Sequence, residues 1–106
     1  MIALERARDA APEHASVREA LARAYYGAGR PADAGAEFAK ALEIDPTNDY
    51  AHFGLALCLA RGGDRALAVG HLRLALAMRP GVDAYRQALQ RLAGDPGPGP
   101  GAPDGG

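Results

Sequence analysis

Residues 21–46 read LARAYYGAGRPADAGAEFAKALEIDP. Leu21, Ala24, Tyr25 and Ala28 fall at helical spacing, and no β-branched run of period two interrupts them. Gly27-Ala28-Gly29-Arg30-Pro31 breaks the pattern, a second apolar series follows, and Asp45-Pro46-Thr47-Asn48 stops it. The stretch therefore predicts two helices joined by a tight turn. Thirty-four residues further on, residues 55–80 read LALCLARGGDRALAVGHLRLALAMRP. Aligning 15–48 with 49–82 gives eight identities: Leu21/Leu55, Ala22/Ala56, Gly29/Gly63, Ala32/Ala66, Ala34/Ala68, Ala41/Ala75, Leu42/Leu76 and Pro46/Pro80. Pro12, Pro46 and Pro80 are also 34 apart. Matches confined to apolar seams and turns are what an internal structural repeat produces.

Working outward, further breakers at Gly62-Gly63-Asp64 and Arg79-Pro80-Gly81 divide the chain into six helices, over about 2–10, 14–27, 31–44, 48–61, 65–78 and 82–93. Short connections predict antiparallel neighbours. Residues 94–106 are almost all Gly and Pro, so they have little to bury against their ordering entropy and are expected to form a disordered tail. The folding unit is then 1–93.

A 34-residue helix-turn-helix period of this kind resembles the tetratricopeptide repeat, whose pattern is W-x2-L-G-x2-Y, then A-x3-F, then P. Leu21, Ala22 and Tyr25 take the L-G-Y places, Ala34 and Phe38 take A-x3-F, Ala41 and Leu42 follow, and Pro46 closes the unit. The second unit has Leu55, Ala56, Leu59, Ala68, Leu72, Ala75, Leu76 and Pro80 in these places. Arg18 and His52 stand where the pattern has tryptophan. Leu4 and Ala7 lie 34 before Phe38 and Ala41, and Leu89 lies 34 after Leu55. The organisation read this way is a partial repeat (1–14), two repeats (15–48 and 49–82) and a capping helix (83–93).

The resemblance implies an all-α solenoid, a right-handed superhelical stack of helical hairpins. Small residues at 22, 34, 41, 56, 68 and 75 permit close helix approach. Arg86, Gln87, Gln90 and Arg91 give the last helix a polar face, as a terminal repeat element requires. The first helix lacks a preceding partner. It is a short cap, or the gene begins upstream, or another chain covers it.

Composition narrows the functional classes. The chain has 106 residues, a formal net charge of -1 and one cysteine. Near-neutrality gives no bulk attraction to nucleic acid or an anionic membrane. Cys58 alone cannot form an internal disulfide or a multi-thiolate metal site. The apolar run at the N-terminus breaks at Glu5, which argues against a signal peptide, and no stretch reaches the roughly 18 apolar residues of a membrane helix. A cytoplasmic location is expected. Alanine and arginine abundance, with Lys40 the one lysine, is read as the codon bias of a GC-rich bacterial genome.

Candidate chemistry is sparse. Ser16 and Thr47 suit helix starts, and Cys58 lies on an apolar helical face where a free cysteine is a small core residue. His52 and His71 fall on the two helices of one hairpin and could be neighbours, but no HxxxH or CxxC spacing exists, so no metal and no cofactor are expected. No GxxxxGK or strand-borne GxGxxG is present. No catalytic residue is assigned.

The first helices of such repeats line a concave surface that holds extended peptides or partner helices. The inward positions implied by the resemblance are Ser16, Glu19, Arg23, Tyr26 and Gly27, then Tyr50, Phe53, Leu57, Ala60 and Arg61, then Ala84, Gln87 and Arg91. Three of the six aromatics, Tyr26, Tyr50 and Phe53, map there without being needed inside a repeat, which marks a contact surface. The family's clamp for a C-terminal carboxylate would fall partly on Glu19, whose charge is wrong for it. The expected function is a non-enzymatic protein–protein interaction module. Tyr26, Tyr50, Phe53, Leu57, Arg23, Arg61, Gln87 and Arg91 would meet a partner protein, with no nucleic acid and no membrane involved. The alternative is a homo-oligomer that stacks through its N-terminal helix.

Overall fold

The computed structural model describes residues 1–93. The expected tail, 94–106, lies outside them. Six α-helices follow in order: α1 (Ile2–Ala10), α2 (Ala15–Gly27), α3 (Pro31–Ile44), α4 (Asp49–Arg61), α5 (Arg65–Met78) and α6 (Asp83–Ala93). No strand occurs among the described residues. Each helix packs on the next in sequence, giving a one-dimensional stack of hairpins.

The turns explain the period. After α2, Gly29 has φ +77°, the Gly29 amide donates to the Tyr26 carbonyl and the Arg30 amide donates to that of Tyr25. After α4, Gly63 has φ +90°, its amide donates to Ala60 and the Asp64 amide to Leu59. This pair of bonds is the Schellman motif, which satisfies carbonyls left open at a helix end and needs a left-handed residue. The other turns are built differently. Ala11, Asp45 and Arg79 end α1, α3 and α5 in non-helical backbone, with φ of -141°, -142° and -136°, and each precedes a proline that disfavours helical geometry there.

The starts of α2, α4 and α6 lie one residue after the sequence expectation, while those of α1, α3 and α5 agree with it. His14 and Asn48 are the N-cap residues, so α2 and α4 begin at 15 and 49. Asn48 Oδ1 accepts from the Ala51 amide at 3.0 Å. Thr47, expected to begin the helix, instead donates its hydroxyl to Asp45 Oδ1 at 2.6 Å. Ser16, expected as a cap, lies exposed inside α2, and the cap before it has no side-chain bond.

Two apolar clusters form the core. One gathers Leu21, Ala22, Tyr25, Ala34, Phe38, Ala41, Ala51 and Cys58, with Leu4 of α1 and Leu55 packed against it. The other gathers Ala56, Ala68, Leu72 and Ala88, with Leu59 and Leu89 against it. All six small positions of the repeat seams are fully buried, which lets Phe38 and Leu72 fill the space between helices. Burial of each large apolar side chain contributes about 1.5–3 kcal/mol. Pro46 and Pro80 are exposed and act through the backbone.

Candidate functional site

α2 and α4 present one face to a concavity lined by Arg23, Tyr26, Gly27, Phe38, Tyr50, Phe53, Gly54 and Leu57. Its volume is about 170 Å³. Tyr26, Tyr50, Phe53 and Leu57 are each half-buried, so their remaining apolar surface faces the hollow. The aromatic rings form a chain across the array. Phe38 meets Tyr50 edge-on at 6.1 Å between centroids, Tyr50 is 6.3 Å from Phe53, and Phe53 is 5.0 Å from Tyr85. Such contacts favour fixed ring positions.

Arginines stand over two of these rings. The Arg23 guanidinium lies 5.8 Å from the Tyr50 centroid and that of Arg61 lies 4.9 Å from Tyr26. Each contact supplies about 0.5–1 kcal/mol at an exposed site and leaves N–H donors free for an acidic group. Arg61 and Arg91 line an adjoining hollow with Tyr26, Leu57, Ala60 and Leu92. Gln87 is exposed and lines neither hollow. Glu19, at the family's clamp position, accepts from Asn48 Nδ2 at 2.5 Å.

Each hairpin also carries a polar pair, one member of which, Arg18 or His52, stands where the pattern has tryptophan. In the first, Arg18 Nη1 donates to Glu37 at 2.8 Å and Arg8 Nη1 donates to the other oxygen at 2.7 Å. In the second, 34 residues on, His52 and His71 stack at 5.2 Å with their Nδ1 atoms 2.9 Å apart. His52 Nε2 is 3.1 Å from the Pro46 carbonyl, which can only accept. The Nε2 of His52 therefore carries a proton, and when both rings are neutral its Nδ1 accepts from His71 Nδ1. Burial, then the neighbouring His52, lowers the pKa of His71 below the ordinary imidazole value.

The family model described as Tetratricopeptide repeat matches residues 26–92. The chain belongs to the tetratricopeptide repeat family. Among solved structures, MamA superposes with a TM-score of 0.80 at 20% identity, covering 84% of this chain and 52% of that one. At that identity the likeness concerns the fold, and this chain spans about half of MamA's length. No curated protein sequence matches. Tetratricopeptide proteins are in general protein–protein interaction modules and non-catalytic scaffolds, and this chain shares their architecture. No helix among the described residues is long and apolar enough to cross a membrane.

Cys58 is buried in the first core cluster, and burial pushes its thiol up to about 11, so it is a poor thiolate at neutral pH. No group of three or more His, Cys, Asp or Glu side chains that could hold a metal occurs among the described residues. Two residues of the aromatic row escaped the sequence reading. Phe38 counted as repeat core, yet its ring also lines the hollow, because Gly54 has no Cβ to cover it. The mid-helix glycine was the available signal. Tyr85 is buried against Phe53, and its hydroxyl donates to Asp49 Oδ2 at 2.5 Å. Burial, then the Asp49 carboxylate, raises its pKa.

Proposed function

We propose that this chain is a cytoplasmic bacterial adaptor without catalytic activity, holding a peptide or helix of a partner protein in its concave groove. The observation that carries this reading is the row of half-buried Tyr26, Tyr50, Phe53 and Leu57 around one concavity, flanked by Arg23. Half-buried aromatics beside arginines have the composition of binding hot spots. They would anchor apolar side chains of the partner, while Arg23, Arg61 and Arg91 pair with its acidic groups. Gln87 would contact it further along α6.

The test is capture from cell lysate with the Tyr50→Ala, Phe53→Ala double variant beside the wild type, with helix content checked by circular dichroism. The expected outcome is loss of the captured protein with helicity retained. Unchanged capture by a folded variant overturns the reading.

A second reading, self-assembly through α1, is favoured by one observation. α1 buries no residue fully, and Met1 and Ile2 stay 41% and 66% exposed. Light scattering at micromolar concentration separates the two: a monomer removes self-assembly.

A further inference from the structure

We propose that residues 94–106 of this same chain are an internal occupant of the aromatic groove, displaced when a partner binds. The inference rests on the reading of the groove as a peptide-binding surface and names its resident ligand.

The groove has an open end at the right place. Its main concavity shares Tyr26 and Leu57 with the adjoining hollow that Arg91 and Leu92 also line. Arg91 and Leu92 lie in the last turn of α6, which ends at Ala93. The described chain therefore stops beside the mouth of the groove.

The length suffices. From Arg61 back to Tyr50, α4 rises about 16 Å at 1.5 Å per residue. Crossing from α6 to α4 adds about 10 Å, the usual spacing of packed helices. Thirteen residues in polyproline II geometry cover about 40 Å. The segment can reach Tyr50.

The chemistry is complementary. Pro96, Pro98, Pro100 and Pro103 supply flat apolar rings on a backbone with fixed φ, the type of ligand that aromatic-lined grooves accept at low entropic cost. The charged side chains of the segment are Asp95 and Asp104, both acidic. Those at the groove's open end and flank are Arg61, Arg91 and Arg23. Asp95 follows Arg91 by four residues in sequence. The glycines between the prolines carry a large ordering cost, so the intrinsic affinity is weak. Tethering offsets this, because a short linker gives an effective concentration in the millimolar range. A millimolar contact is then about half occupied, enough to compete and weak enough to yield.

The test is solution NMR on the full chain. Cross-peaks between ring protons of Tyr26, Tyr50 or Phe53 and the proline side chains of 96–103 are expected at low salt. They should weaken at 0.5 M NaCl and vanish in the variant carrying Pro96→Ser, Pro98→Ser, Pro100→Ser and Pro103→Ser. That variant should also bind the groove's partner about twofold more tightly, since an occupied fraction near one half is released. Absent cross-peaks, with groove tyrosine shifts identical in both proteins, overturn the inference. So do cross-peaks that grow with protein concentration, which would assign the segment to a second copy. The two readings fail separately. A partner captured through Tyr50 and Phe53 without tail contacts removes only this inference. Tail contacts with no capturable partner remove only the adaptor reading.

Discussion

Three glycines show how differently one residue type can be required. Gly29 and Gly63 have open space where a Cβ would stand, but their φ values of +77° and +90° strain any side-chain-bearing residue. Gly54 has no such φ, yet an added Cβ would run into the Phe38 ring. Gly63→Ala should therefore cost about 1–2 kcal/mol through the backbone alone. Gly54→Ala gains about 1 kcal/mol of helix propensity and loses more to overpacking, which costs about 1–3 kcal/mol. Thermal denaturation checks both, and Gly54→Ala alone should shift the ring signals of Phe38 and Tyr50. Glu37 is a further test. It is 7% exposed and bridges Arg8 and Arg18. Glu37→Ala should destabilise by roughly 1–3 kcal/mol, the cost of leaving partly buried donors unpaired. Urea denaturation at neutral pH reads that directly. The sequence made Gly29 and Gly63 legible because their spacing repeats. Glu37 was not legible, since its two arginines come from α1 and α2 and only packing brings them together.

At the scale of helices, the elements were readable to within a residue because prolines and glycines punctuate them every 34 positions. The starts were displaced where Ser16 and Thr47 advertised caps that His14 and Asn48 occupy. The contact of α4 with α5 through His52 and His71 gives a pH-dependent term. The folded state lowers the pKa of His71, so it favours the neutral ring. The stabilisation is fully present above the ordinary imidazole pKa of about 6.5 and is lost as pH falls through the lowered folded value. The melting temperature should fall between pH 7 and pH 5, and less steeply in His71→Gln. Equal slopes in the two proteins would show that the pair contributes nothing.

At the scale of the whole molecule, the repeat sets what the groove can be. α2, α4 and α6 each bring one helical face to the concave side, so Tyr26, Tyr50 and Arg91, far apart in sequence, border connected hollows. Counting inward positions along the 34-residue period placed Tyr26, Phe53 and Leu57 in sequence. The same counting could not reveal that Phe38 shows through at Gly54, or that Tyr85 supports Phe53 from α6, because both depend on how closely neighbouring helices approach. The measurement that bears most directly on the adaptor reading is site-specific photocrosslinking in living cells. A photoreactive phenylalanine analogue would replace Phe53 in the groove and, separately, Leu67, which is exposed on α5. A discrete crosslinked protein is expected from position 53 and none from position 67. No adduct from position 53, or the same adducts from both positions, would contradict the adaptor reading.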